Sequence, residues 1–172
     1  MTLICERSKQ SSNNENLNDS TFLKAHAFST FFYPKLLKDG YSSLKRWTRK
    51  IDLFSYDIIL IPVHLGLHWT LAVIDMTCKE VRYYDSMNGN NHECLRSLRN
   101  YLRDEYADKK NGAQLNLTEW NCLHVKDVPQ QMNGSDCGMF TCKYAEYISR
   151  GKTEFNFNQV SFKFYIFNLN LN

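Results

Sequence analysis

Three residues of this 172-residue chain stand in contexts that could support nucleophilic catalysis: Cys137, His68 and Asp85. Cys137 lies in Gln130-Gln131-Met132-Asn133-Gly134-Ser135-Asp136-Cys137-Gly138, a glycine-flanked turn that leads into an apolar-periodic run. At the opening of a helix, its sulfur would meet unpaired backbone N–H groups and the positive end of the helix dipole. Both favour the thiolate, which is the nucleophilic form. Gly138 would let another backbone come close to the sulfur. A lone cysteine before an amphipathic helix is more often structural, and the turn alone does not overturn that reading.

A thiol needs a base, and His68 is placed to be one. It lies in Val63-His64-Leu65-Gly66-Leu67-His68-Trp69, at the mouth of a strand-like run. A strand end is both rigid and open. His64 and His68 stand four apart, but Gly66 and the strand that follows speak against a helical zinc pair, and there is no H-E-x-x-H. Taken singly, either histidine reads equally as a hydrogen-bonded surface residue. Asp85 ends the next strand-like run, after Tyr83-Tyr84. If residues 69–74 and 80–84 pair as a hairpin, Asp75 and Glu80 lie at the connected end, and His68 and Asp85 meet at the other. That register puts a carboxylate within reach of the imidazole. The alternative for Asp85 is a turn cap before Ser86-Met87-Asn88-Gly89. Gln131, six residues before the thiol, could donate to a developing oxyanion. Trp69, beside His68, is more often a core residue than a cleft wall.

The elements that would hold these residues follow from periodicity. Ile58–Val63, Trp69–Asp75 and Glu80–Tyr84 read as strands with short connectors and antiparallel neighbours. Asn121–Val125 reads as a fourth strand. Leu95, Leu98 and Leu102 mark a helix over 92–106, and Phe140, Tyr144 and Ile148 mark another from Cys137 to Ser149, with Gly151 suited to close it. Phe28, Phe31, Phe32, Leu36 and Leu37 give a helical spacing over 26–37 that Pro34 should kink or end. Residues 8–20 are polar and read as a loop, and residues 42–50 as a short basic amphipathic stretch. The tail, 155–172, carries apolar residues in a largely alternating, strand-like pattern unlike the rest. The expected class is α+β, a mixed sheet flanked by helices.

Composition narrows the function. A hydrophobic content of 43% and 14% aromatics suit a packed globule. The net charge of +3 gives no nucleic-acid signal and fits an acidic protein partner weakly. No run of about 18 apolar residues suggests a membrane span. The six cysteines form no C-x-x-C pair, and the start lacks a secretion signal, so reduced thiols are expected.

The segments His68-Trp69, Tyr83-Tyr84-Asp85-Ser86-Met87 and Pro129-Gln130-Gln131-Met132-Asn133-Gly134-Ser135-Asp136-Cys137-Gly138-Met139-Phe140 occur in the order His, Asp, Cys. Together they resemble the catalytic signature of the sentrin/SUMO-specific cysteine proteases. Cys5-Glu6-Arg7-Ser8-Lys9, His26-Ala27-Phe28, Lys45-Arg46-Trp47-Thr48 and His64-Leu65-Gly66 extend the likeness over about residues 3–159. The resemblance implies a papain-like α+β fold with altered chain order. It implies hydrolysis of the peptide or isopeptide bond after the C-terminal Gly-Gly of SUMO. Cys137 would be nucleophile, His68 base and acid, Asp85 the orienting carboxylate and Gln131 the oxyanion donor. Trp69 would cover the diglycine in a narrow tunnel, with substrate contacts also at His64, Gly66, Arg46 and Met132. No metal or cofactor is implied, and neither nucleic acid nor a membrane is an expected partner. The partners would be SUMO and SUMO-conjugated proteins, met by a monomer in the nucleus. Against the family pattern, residues 1–159 read as a partial catalytic domain, without an upstream tunnel Trp, and 160–172 as a divergent tail. An alternative expectation is therefore a catalytically impaired form that binds SUMO without efficient turnover.

Overall fold

The computed structural model describes residues 1–13 and 22–159. The chain runs α1 (Thr2–Asn13), β1 (Ala25–Ala27), α2 (Phe32–Asp39), β2 (Ile58–His64), β3 (Trp69–Asp75), β4 (Glu80–Tyr84), α3 (His92–Lys109), β5 (Asn121–Val125) and α4 (Cys137–Ser149). The strands form one sheet in sequence order. β2, β3 and β4 are antiparallel neighbours, while β1 on β2 and β5 on β4 are parallel. The class is α+β with a mixed sheet, as the pattern implies.

The apolar runs in β2 and β3 are continuous because both faces of the sheet are covered. Side chains alternate across a strand. Ile59, Ile61 and Val63 of β2, Ala72 and Ile74 of β3, and Val81 and Tyr83 of β4 therefore join Leu98, Tyr101 and Leu102 of α3 and Phe32 and Leu36 of α2 in one core. Ile58, Leu60, Leu71, Val73 and Tyr84 point the other way and join Phe140, Tyr144, Ala145 and Ile148 of α4. Fully burying a large aliphatic or aromatic side chain stabilises by roughly 1.5–3 kcal/mol, so the central strands are the rigid part of the molecule. Pro62 sits in β2 where it has a neighbour on one side only, because β1 ends opposite Leu60. A residue without an N–H fits there.

Four local expectations change. Residues 8–13 continue α1 instead of forming a loop, and 14–20 lie outside the described residues, as do 160–172. The helix extends because Ser8 is satisfied by tertiary partners: its hydroxyl donates to the Leu23 carbonyl and accepts from the Ala25 N–H, both at 2.9 Å. Residues 26–37 do not form one helix. Ala25–Ala27 is a short strand, and the helix begins at Phe32, so Pro34 lies in its first turn and causes no kink. A first-turn proline costs no intrahelical hydrogen bond. Residues 42–50 form a 3₁₀ segment, Tyr41–Ser43, and successive turns, with Leu44 fully buried and Lys109 Nζ donating to the Thr48 carbonyl at 2.6 Å. Gly151, with φ +65°, does follow α4 and donates to the Ile148 carbonyl at 2.9 Å.

Candidate active site at the strand ends

His68 and Asp85 meet because of sheet register. The β3–β4 hairpin pairs Asp75 with Glu80 at its closed end and Leu71 with Tyr84 near its open end. Asp85 is the next residue out, and His68 immediately precedes β3. The tight β2–β3 connection fixes His68 from the other side, since Leu65 N donates to the His68 carbonyl at 2.8 Å. The imidazole Nε2 and Asp85 Oδ1 lie 2.6 Å apart. Little of either side chain is exposed, 19% for His68 and 8% for Asp85, so water screens the contact weakly.

Asp85 serves both of the roles open to it from sequence. Its Oδ1 also accepts the Met87 N–H at 2.8 Å, and its Oδ2 accepts the Gly89 N–H at 3.2 Å. It is a turn cap and an imidazole partner at once. The backbone donors hold the carboxylate in the orientation that faces His68, and charge-assisted bonds of this kind are the stronger class. Gly89 is required for this. A Cβ at that position would lie 2.5 Å from Asp85 Oδ2.

Cys137 is the first residue of α4 and is 5% exposed. The preceding loop folds on Asn133, whose Oδ1 accepts the N–H groups of Ser135 and Asp136 at 3.0 and 3.1 Å. Its Nδ2 donates to Asp136 Oδ2 at 2.9 Å. The N-cap residue Asp136 makes no side-chain capping bond. The first N–H groups of a helix have no carbonyl within it, so those beside Cys137 are available to an anion. α4 packs on β3, and a Cβ on Gly138 would stand 3.9 Å from Trp69 Cδ1, in ordinary contact. The residue after the cysteine thus lies near the residue after the histidine. Among the described residues, no hydrogen bond joins the Cys137 thiol to His68; the Nε2 contact leaves Nδ1 as the imidazole nitrogen free to take it up.

Trp69 is half-buried at the start of β3, the central strand, and belongs to neither core. Its ring stacks on that of His64, with centroids 4.2 Å apart. Gly66, with φ +80°, turns the chain between His64 and His68. Gln131 joins the group through Ser86. Its N–H donates to the Ser86 carbonyl at 3.0 Å, and its side-chain Oε1 accepts the Ser86 hydroxyl at 2.7 Å. Met132 is 87% exposed beside it. Arg46 is exposed on the 44–50 turns, which rest on the α2/α3 layer. No described hydrogen bond or ring contact ties it to the others.

Two features escape the sequence reading. Ser86 and Gly89 lie in a segment legible only as a turn, yet one is 1% exposed against Gln131 and the other is shaped around the Asp85 carboxylate. Also, half of the exposed large hydrophobics flank the site in sequence: Leu65, Leu67, Met87, Met132 and Met139. Leu67 is 98% exposed. Such a rim suits a polypeptide ligand better than a small polar one. A cavity of about 530 Å³ lies between β4, β5 and the end of α4, lined by Tyr84, Leu123, Ile148 and Phe155 among others, and none of His68, Asp85 or Cys137 borders it. Among the described residues no group of three His, Cys, Asp or Glu could hold a metal ion, and no helix is long and apolar enough to cross a membrane.

Comparison with known proteins gives this geometry a family. Residues 2–169 match the model of the Ulp1 protease family, C-terminal catalytic domain. A sentrin-specific protease of Caenorhabditis elegans is 46% identical over 165 residues, covering 96% of this chain and 22% of that protein. Human sentrin-specific protease 2 is 48% identical over 154 residues, covering 88% of this chain and 24% of that protein. The chain therefore spans about a quarter of the length of the curated relatives it matches. Among solved structures, the C-terminal Ulp1 protease domain in complex with Smt3, the yeast orthologue of SUMO, aligns with a TM-score of 0.68 at 30% identity, over 90% of this chain and 67% of that one. The Chaetomium thermophilum Ulp1-like SUMO protease catalytic domain aligns with a TM-score of 0.76 at 27% identity, over 91% and 61%. The His68–Asp85 pair beside a helix-opening Cys137, in a chain matched almost end to end, thus belongs to the Ulp1 protease family, as its C-terminal catalytic domain.

Proposed function

We propose that this chain is a deSUMOylating cysteine protease that hydrolyses the peptide or isopeptide bond after the C-terminal Gly-Gly of SUMO. The observation that carries the reading is the 2.6 Å contact between His68 Nε2 and Asp85 Oδ1 at the strand ends, against which the start of α4 packs. The Ulp1 domain solved with Smt3 supports SUMO as the substrate. The nucleus is the place of action we propose for it, as the family resemblance implies.

The chemistry follows from which nitrogen is engaged. With Nε2 held by Asp85, Nδ1 takes the proton of the Cys137 thiol, and the carboxylate stabilises the imidazolium that forms. The sulfur adds to the carbonyl carbon of the last glycine, and the negative charge moves to the carbonyl oxygen. The Cys137 N–H and Gln131 Nε2 would donate to it, and each such donor is typically worth roughly 2.7–4 kcal/mol of barrier. Collapse breaks the C–N bond, and the leaving amine takes the proton from His68. Water, deprotonated by the now neutral imidazole, attacks the thioester. SUMO leaves with a free carboxylate, and the proton returns to the thiol. Trp69, stacked on His64 and close to Gly138, would lie over the glycine pair and exclude side chains. Gly66, Met132 and the apolar rim would meet the body of the substrate, and Arg46 a separate acidic patch on it.

SUMO bearing a C-terminal vinyl sulfone tests this. One adduct should form, on Cys137, and none in Cys137→Ala or with the matching ubiquitin probe. Equal labelling by the two probes would refute the SUMO assignment, and labelling of another cysteine would refute the nucleophile.

A further inference from the structure

The residue after the orienting aspartate does a second job. Ser86 is 1% exposed at the end of β4. Its hydroxyl donates to Gln131 Oε1 at 2.7 Å, and its carbonyl accepts the Gln131 N–H at 3.0 Å. Both ends of Gln131, backbone and side chain, are therefore referenced to one buried residue. A carboxamide is polar end to end, with an acceptor oxygen and a donor nitrogen of nearly equal size. Only the nitrogen end can stabilise an oxyanion; the oxygen end would repel it. Gln131 Nε2 donates one hydrogen to the Asn133 carbonyl at 2.5 Å and keeps the second.

We infer that Ser86 is a positioning residue: its buried hydroxyl anchors the oxygen end of the Gln131 amide while the Asn133 carbonyl takes one hydrogen of the nitrogen end, so that the second hydrogen is held toward the oxyanion. Asp85 and Ser86, adjacent on one rigid strand end, then index the two halves of the machinery together. Asp85 aims the base through the 2.6 Å contact with His68, and Ser86 aims the donor. Without the hydroxyl, Oε1 loses its buried partner and the amide, tied only through Nε2 to the Asn133 carbonyl, can swing out of line with the oxyanion. The inference rests on the proposed hydrolysis, because it needs an oxyanion to stabilise.

Losing one oxyanion donor typically costs roughly a hundred- to a thousandfold in kcat. Misdirecting one without removing it should cost part of that, roughly ten- to a hundredfold. The experiment is a double-mutant cycle on hydrolysis of SUMO carrying a C-terminal fluorogenic amide. Ser86→Ala should lower kcat in that range with KM within about twofold. In a Gln131→Ala background it should cost nothing further, since the residue it acts through is gone. Alkylation of Cys137 by iodoacetamide has no oxyanion, so its rate should stay within about twofold in Ser86→Ala. Ser86→Cys, which keeps the volume and a weak donor, should fall between Ser86→Ala and the parent, and it carries the test if the alanine variant does not fold. Equal kcat in Ser86→Ala and the parent would overturn the inference. So would an equal loss in both backgrounds, which marks a merely structural role. A parent chain that does not turn over SUMO removes the reading beneath it, and the inference with it.

Discussion

Replacing Gly89 by alanine should damage catalysis from a position that carries no functional group. The backbone of Gly89 does not need a positive φ, so the cost is steric alone. An added Cβ would lie 2.5 Å from Asp85 Oδ2 and 3.6 Å from Asp85 Cγ, and contacts under 3.0 Å are essentially never made by a real Cβ. The carboxylate has little freedom to give way, because its other oxygen is held by His68 Nε2 at 2.6 Å and Met87 N at 2.8 Å. Either the carboxylate turns, which lengthens the imidazole contact, or the turn opens, which breaks the 3.2 Å bond from Gly89 N. A hydrogen bond to a charged group is worth about 1.5–3 kcal/mol. If that stabilisation is lost in the transition state, where His68 becomes charged, kcat/KM should fall roughly ten- to a hundredfold. The assay is hydrolysis of SUMO with a fluorogenic C-terminal amide, read beside the melting temperature. Gly89→Ala within about twofold of the parent would show that Asp85 is not held as described, and the positioning argument would fail.

Asp85→Asn should remove the charge opposite the imidazole and leave either the Met87 or the Gly89 N–H without its acceptor, lowering kcat by roughly a hundred- to ten-thousandfold; SUMO affinity measured by calorimetry should stay within about twofold, and a parallel loss of binding would contradict the assignment. Phe140, fully buried between α4 and the sheet, should cost roughly 3–5 kcal/mol on replacement by alanine, and a urea midpoint shift equivalent to less than about 1 kcal/mol would contradict the packing. Burial lowers the pKa of His26, with Lys9 adding to the effect; burial and then the nearby His92 lower that of His124. Each therefore contributes stability that is complete above the unfolded value of about 6.5 and is lost as pH falls through the lower folded value. The urea midpoint should drop on acidification below about 6.5, and the drop should be smaller in His26→Gln/His124→Gln; an identical pH profile would refute the linkage.

What the sequence discloses about this site depends on how local the cause is. The hairpin register is local. Two apolar runs joined by Met76-Thr77-Cys78-Lys79 leave one sensible pairing, so the meeting of His68 with Asp85 was legible before any coordinates, and Asp75 does pair with Glu80. The start of α4 at Cys137 was equally legible, from the glycine-rich turn and the Phe140, Tyr144, Ile148 stripe. β1 was not, because three residues, Ala25–Ala27, carry no period and owe their strand to pairing with Ile58–Leu60. The helical course of residues 8–13 was hidden for a similar reason: Ser8 gains its partners from Leu23 and Ala25, and composition alone argues for a loop. The most consequential gap was Ser86-Met87-Asn88-Gly89. Serine, asparagine and glycine signal a turn, and a turn it is. That the serine would be buried on Gln131 is decided by chain segments 45 residues apart meeting at a strand end; that the glycine is shaped around the carboxylate four residues before it depends on Asp85 being turned toward His68.

The central claim is that Cys137 is the nucleophile of a protease specific for the bond after the SUMO diglycine. Incubating the chain with a SUMO precursor extended beyond Gly-Gly, and weighing the products by mass spectrometry, tests it most directly. The account predicts a single cut, leaving SUMO with a free C-terminal glycine, no product with Cys137→Ala, and an intact ubiquitin precursor under the same conditions. A cut at any other bond, or a cut that persists in Cys137→Ala, would contradict it.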